Sequence, residues 1–147
     1  MEKVLGLDEN HVQALNYLAY VYADGTRNLE IAEKLVRKAL KLQPGDGFIM
    51  DTLGWVLFKQ DRVAEAVKIL ERAHKKEGKE AIIAEHLGDA YFRHKLPRKA
   101  KEMYERAADL EKNSTTKEKI QSKISSIEQK LQAEKSRSTR LPASTQN

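Results

Sequence analysis

Histidines and acidic residues are the side chains of this sequence that could perform acid–base or metal chemistry. The four histidines are scattered along the chain, at His11, His74, His86 and His94. His86-x-x-Asp89 lacks the His-Glu-x-x-His arrangement that places two metal ligands and a base on one helix face. We therefore expect the histidines on helix surfaces, and the sequence predicts neither a metal site nor a catalytic residue.

Other kinds of chemistry are excluded by residue type. The chain has no cysteine, which excludes disulfides, thiolate metal sites and a cysteine nucleophile. Gly45-Asp46-Gly47 lacks the Gly-Lys-Ser/Thr sequence of a phosphate-binding loop and is predicted to be a turn. Asp51 and Glu85 could act as an acid–base pair, but an open groove would desolvate them too little for that role. The sequence therefore indicates a protein that is not an enzyme and has no cofactor.

An internal repeat sets the elements that position these side chains. Asp51-Thr52-Leu53-Gly54-Trp55 aligns with Glu85-His86-Leu87-Gly88-Asp89 at an offset of 34 residues. The same offset relates four further pairs: Leu57 with Tyr91, Ala66 with Ala100, Leu70 with Tyr104, and Ala73 with Ala107. An earlier copy has one extra residue in its turn, within residues 24–28. Because apolar residues recur at helical spacing in each half, every unit is predicted to form two amphipathic helices.

The period, the Leu-Gly step and the later alanines resemble the tetratricopeptide repeat (TPR), a helix-turn-helix unit. Ala14-Leu15-Asn16-Tyr17-Leu18-Ala19-Tyr20 and the two aligned segments further resemble the last repeats of long bacterial TPR proteins. This resemblance implies an all-α, right-handed superhelical solenoid of three TPR units plus a C-terminal capping helix. The three units are expected at residues 12–46, 47–80 and 81–113.

The two ends of the repeat array carry their own predictions. Residues 1–11 resemble the end of a preceding repeat, so we expect a partial repeat there and a chain that starts inside a longer array. Thr115-x-x-Glu118 is a capping box that predicts an amphipathic helix over residues 114–135. The helix carries one apolar stripe, which consists of Ile120, Ile124, Ile127 and Leu131. Residues 136–147 are almost without apolar side chains and are expected to be disordered.

The resemblance also implies where a partner would bind. In TPR proteins the first helix of each repeat lines the concave face. The family's groove positions give an aromatic groove edged with acids, made of Asn16, Tyr20, Phe48, Asp51, Trp55, Phe58, Lys59, Ile82, Glu85, Asp89, Phe92 and Arg93. Exposed aromatic rings are typical anchors for protein partners. The competing interpretation is that some of these rings, Phe58 above all, belong to the core.

The charges of this groove predict the kind of partner. Chaperone-binding TPR domains hold a peptide's terminal carboxylate with Lys, Asn and Arg at the fifth and ninth repeat positions. Here only Asn16 among those positions is suitable, and the acids would repel a carboxylate. We expect instead a non-catalytic scaffold that binds a protein or peptide segment that is apolar and carries basic residues.

The terminal helix supplies two alternatives. Its apolar stripe is flanked by lysines, which complement the charge of Asp51, Glu85 and Asp89. The helix either caps the last repeat of its own chain or docks into a neighbouring molecule and forms a homo-oligomer. Residues 111–147 hold eight Lys and Arg against four acids, so nucleic-acid or acidic-partner binding through this basic tail is the alternative function. Nucleic acid is less favoured, because no aromatic residue lies beyond Tyr104.

Composition limits the location of the chain only loosely. The 147 residues are 40% hydrophobic and 33% charged, with a formal net charge of +5. No run of residues approaches the 18 or more apolar residues of a membrane span, and acids occur early where a signal peptide would be apolar. We expect a soluble chain without membrane insertion, in the cytoplasm or, given a signal upstream in a parent chain, in the periplasm.

Overall fold

The described part of the chain consists of seven helices and contains no strand. The computed structural model describes residues 11–145, with side chains as far as residue 139. The helices are α1 (Val12–Asp24), α2 (Leu29–Leu42), α3 (Gly47–Lys59), α4 (Val63–Lys76), α5 (Ala81–Arg93), α6 (Pro97–Leu110) and α7 (Ser114–Thr145). The all-α prediction is confirmed.

Local side-chain signals explain several helix starts. The Asp46 carboxylate accepts hydrogen bonds from the backbone N–H groups of Phe48 and Ile49, as an N-cap should. Pro97 occupies the first turn of α6, where its missing N–H costs nothing. At the start of α7, Asn113 rather than the predicted Thr115 caps the helix, because its Oδ1 accepts from the Thr116 N–H.

The second and third helix pairs pack closely because a glycine of the first helix faces the second helix. A Cβ built on Gly54 of α3 would lie 2.5 Å from Cγ of Leu70 in α4. A Cβ on Gly88 of α5 would lie 2.6 Å from Cδ1 of Tyr104 in α6. Even a methyl group at either position would overlap the facing side chain, so these two repeat glycines set the spacing of their helix pairs.

The order of packing gives the stack its curvature. The first helices of neighbouring pairs contact each other, α1 with α3 and α3 with α5, while α2 and α4 each pack on the first helix of the following pair. Among the described helices, the second helices α2, α4 and α6 make no comparable contacts with one another. The first helices therefore lie on the inner side of the solenoid and line its concave face.

The long helix α7 closes the stack by packing on α6. Ile120 and Ile127 are buried, whereas residues 132–139 are all exposed. The helix continues to Thr145, although residues 136–147 were expected to be disordered. Extending an existing helix needs no packed face, since residues other than proline gain a backbone hydrogen bond after the costly first turn. The expectations for residues 1–10, 146 and 147 lie outside the described residues.

None of the helices in the described part of the chain is both long enough and apolar enough to span a membrane.

Candidate binding groove

The predicted groove residues divide into an exposed rim and a buried floor. Phe48, Ile82 and Phe92 are 46%, 43% and 40% exposed, and they form the apolar rim. Trp55 and Phe58 are only 8% and 7% exposed. The two rings of α3 are therefore part of the core, as the competing interpretation held for Phe58, and the expectation that they are open anchors is wrong.

A buried histidine explains why the floor is closed. His86 is 3% exposed, and its ring stacks on Trp55 with the centroids 3.9 Å apart. Its Nδ1 lies 2.8 Å from Oδ1 of Asp51, which is itself buried. Trp55 stacks in turn on Phe58, with a centroid separation of 4.9 Å. Asp51 is thus paired inside the chain rather than presented to a partner.

The expectation of surface histidines is wrong for His86, whose burial goes with its repeat position rather than with its residue type. His86 aligns with Thr52 in the repeat, and Thr52 is 3% exposed. Both residues lie on first helices that have another first helix against them, α1 for α3 and α3 for α5. A polar residue at this repeat position therefore has to find its hydrogen-bond partner within the protein.

The two groove acids on α5 bind a lysine of α7. Lys123 Nζ donates hydrogen bonds to Glu85 Oε2 at 2.7 Å and to Asp89 Oδ1 at 3.0 Å. The Tyr104 hydroxyl also donates to Asp89 Oδ1, at 2.5 Å. The predicted attraction between lysines of the terminal helix and groove acids is present within one chain, at Glu85 and Asp89 but not at Asp51.

This polar cluster shifts the pKa values of its basic and phenolic members. Burial by itself lowers the pKa of Lys123, but the hydrogen bonds and charges of Glu85 and Asp89 outweigh burial, so the net shift is upward. Burial and the nearby charge of Asp89 raise the pKa of Tyr104. The cluster therefore holds a protonated lysine and a neutral tyrosine against two carboxylates.

Cations also cover the aromatic floor. Lys59 Nζ lies 5.0 Å from the centroid of the Trp55 ring, and the Arg93 guanidinium carbon lies 4.5 Å from that of Phe58. Arg93 also contacts Asp61, at 3.3 Å. These two basic groove residues are therefore held over rings, which is a favourable cation–π arrangement.

Two groove positions near the first repeats keep polar atoms without hydrogen-bond partners among the described residues. Oδ1 of Asn16 and Nε1 of Trp55 are both buried and unpaired. Tyr20, the remaining groove residue of α1, is half-buried, with its ring 6.4 Å from that of His86. Burial, and then the charge of Asp24, raise the pKa of Tyr20.

A cavity of about 250 Å³ lies where α5, α6 and α7 meet. It is lined by Phe92, Tyr104, Lys123, Ser126 and Ile127. Lys130 Nζ lies 5.0 Å from the centroid of the Phe92 ring. The cavity is smaller than the pockets that enclose drug-sized ligands, but it has room for one apolar side chain.

The stripe of the terminal helix faces its own chain. Ile120 and Ile127 are 0% and 2% exposed, and Ile124 and Leu131 are half-buried against the same core. Inserting this face into a neighbouring molecule would require α7 to leave α6.

Within the described residues, no group of three His, Asp or Glu side chains is placed to hold a metal ion.

Comparison with known proteins agrees with this architecture. The sequence matches the family model for a tetratricopeptide repeat-like domain over residues 28–129. The chain belongs to the TPR family. A TPR repeat-containing protein of Pseudomonas aeruginosa is 35% identical over 86 residues, which is 58% of this chain. The chain spans only 14% of the length of that relative.

Several solved structures share the fold at low sequence identity. The type III secretion translocator chaperone SycD of Yersinia enterocolitica superimposes with a TM-score of 0.74 at 16% identity, covering 85% of this chain and 88% of that chain. The first TPR domain of Spaghetti (RPAP3), bound to an HSP90 peptide, gives 0.72 at 19% identity, covering 84% and 95%. SycD in complex with a peptide of the translocator YopD gives 0.70 at 17%, covering 80% and 92%. The predicted TPR solenoid is therefore confirmed.

Proposed function

We propose that this TPR protein is a non-catalytic scaffold that binds an apolar, basic segment of a partner protein along its concave groove. The observation that carries the proposal is the exposure of Phe48, Ile82 and Phe92 on the first helices. Phe48 and Ile82 occupy equivalent positions near the starts of α3 and α5, so they form neighbouring parts of one apolar rim. Exposed apolar side chains that recur along one face favour a protein partner.

The acidic pair supports a partner of positive charge. Glu85 and Asp89 are half-buried and share one ammonium group, that of Lys123. A basic side chain of the partner would share or replace that lysine, while an apolar side chain would enter the cavity beside Phe92. The peptide complexes of SycD and Spaghetti are precedents for a peptide partner on this fold, although the acids here disfavour a peptide with a carboxylate end.

A panel of labelled peptides tests the groove. Fluorescence anisotropy would compare amphipathic apolar-basic, apolar-acidic and polar-basic peptides on the full chain. We expect the apolar-basic peptide to bind best. We also expect the double substitution F48S/I82S to weaken its binding about tenfold or more, because exposed anchors dominate such interfaces.

The matched control is Ile31→Ser. Ile31 is 51% exposed on α2, which lies on the outer layer, so its loss removes a similar apolar surface away from the groove. Equal weakening by Ile31→Ser, or a preference for the apolar-acidic peptide, would contradict the proposal.

Self-association through α7 is the second candidate. Exchange of α7 between two molecules would keep the contacts of Ile120, Ile127 and Lys123, with the three residues 111–113 between α6 and α7 acting as the hinge. The in-chain packing of the stripe favours an intramolecular cap. Light scattering at high concentration separates the two: a mass of one chain, 16.8 kDa, agrees with the cap, and twice that mass agrees with exchange.

A further inference from the structure

Two segments at the C-terminal end of the repeat stack are rich in basic residues. Residues 94–101, which include the α5–α6 turn and the start of α6, contain four Lys and Arg and no acid. Residues 128–137 of α7 add three Lys and Arg against two acids. The excess of basic over acidic residues in these two segments equals the formal net charge of the whole chain, +5. The rest of the sequence is therefore balanced.

The two segments meet in a cleft of about 260 Å³ between α6 and α7. We call it the basic cleft, and it is lined by Arg98, Lys101, Glu128, Leu131, Gln132 and Lys135. The α7 residues recur at helical spacing, so they form one stripe that faces the first turns of α6. Glu128 is the one acidic residue among these six, and its Oε2 lies 3.8 Å from Nζ of Lys101. Arg98 and Lys135 are exposed.

We propose that the basic cleft binds an acidic segment of a protein partner. One apolar side chain of that segment contacts Leu131, the half-buried apolar residue of the cleft, and carboxylates on either side of it meet Arg98, Lys101 and Lys135. Arginine suits this task because its planar guanidinium can bind a carboxylate through two hydrogen bonds.

The lining favours a protein over a nucleic acid. A single strand would stack its bases on aromatic side chains, and the lining residues of the basic cleft include no aromatic ring. The apolar contact offered by Leu131 is instead suited to an apolar side chain flanked by acids. This surface is separate from the concave groove, so the proposal does not depend on the function proposed for the rim.

The test uses the full chain and a short fluorescein-labelled peptide of Glu and Asp around one central Leu. We expect saturable binding that weakens as salt is added, because the contacts are between exposed charges. The double substitution R98E/K135E should weaken binding about tenfold or more. Replacing the peptide's Leu with Ser should weaken it several-fold, which bulk charge attraction alone would not produce.

The matched control is K68E/R72E, which reverses two exposed charges on α4, a helix that contributes no residue to the cleft lining. It should change the affinity less than about twofold, as should F48S in the groove. Equal loss in K68E/R72E, or no effect of the peptide's Leu, would overturn the proposal in favour of non-specific charge attraction. Tighter binding of a duplex or single-stranded oligonucleotide at the same salt would overturn it in favour of nucleic acid.

Discussion

His86 is the residue whose role in the structure differs most from its expected role. Its ring stacks on Trp55 and its Nδ1 pairs with the buried carboxylate of Asp51. His86→Ala removes the stacked ring and leaves Asp51 without this partner. Because an unpaired buried carboxylate is costly, we expect a loss of about 2 to 3 kcal/mol in the free energy of unfolding, measured by urea denaturation.

The control for this prediction is His94→Ala. His94 is exposed in the turn after α5, so its loss should change the unfolding free energy by less than about 0.5 kcal/mol. A His86→Ala protein as stable as the His94→Ala protein would show that the stacked cluster contributes little.

The groove residues show what the sequence can and cannot predict at this scale. Repeat positions correctly placed Phe48, Ile82 and Phe92 on an exposed face. They failed for Trp55, because its burial depends on a ring from another helix, that of His86. Since a repeat position specifies the direction of a side chain but not what neighbouring side chains cover, groove membership did not imply exposure.

The repeat predicts the helices, and its glycines, Gly54 and Gly88, provide a test of how those helices pack on each other. Gly88→Ala would place a methyl group 2.6 Å from the buried ring of Tyr104. Overpacking of this kind costs about 1 to 3 kcal/mol, which exceeds the gain of about 1 kcal/mol from replacing a helical glycine with alanine. We therefore expect a net loss of stability in thermal or urea unfolding.

Gly45→Ala is the matched control, since a Cβ there meets no atom within 4 Å and no glycine of the described chain has a positive φ. It should leave the stability unchanged or raise it slightly, by reducing the freedom of the unfolded chain. Equal effects of the two substitutions would contradict the close packing of α5 on α6.

The contact between α7 and α5 predicts a dependence of stability on alkaline pH. Lys123 and Tyr104 have pKa values raised above their ordinary 10.5 and 10.0, so the folded chain holds both protons more tightly than the unfolded chain. Their stabilising contribution is complete below about pH 10 and is lost as the pH rises through the folded-state values. Urea midpoints should therefore stay constant up to about pH 9 and decrease as the pH rises above about 10.

Tyr104→Phe removes one of the groups whose raised pKa makes the stability depend on alkaline pH. Its midpoint should fall less steeply with pH than that of the wild type, with Lys123, Tyr20 and Tyr91 supplying the remaining slope. Parallel curves for the two proteins would show that the Tyr104 hydroxyl is not held against Asp89.

The elements of the repeat were predictable because apolar periodicity and turns specify them locally. The end of α7 was not predictable in this way. Residues 132–139 are exposed, and the last part of the helix continues a segment that begins packed on α6. The cap at Asn113 likewise depends on where the chain leaves α6, which composition does not reveal.

In the folded molecule, the charged side chains are distributed differently from what a count along the sequence suggests. A count along the sequence places most of the net positive charge in residues 111–147. The folded chain neutralises part of that charge, because Lys123 lies between Glu85 and Asp89. It also brings Arg98 of the third helix pair beside Lys135. The molecule therefore has an inner groove with an apolar rim, whose acids are paired within the chain, and a separate basic cleft.

We propose that partners bind on the concave rim rather than on the outer layer. Two isoleucines test it directly, since Ile82 on the rim and Ile31 on α2 are 43% and 51% exposed. Methyl NMR of isoleucine-labelled protein would follow both during titration with the apolar-basic peptide. We predict a progressive shift of the Ile82 signal and an unchanged Ile31 signal. Movement of Ile31 alone, or equal movement of both, would contradict the claim.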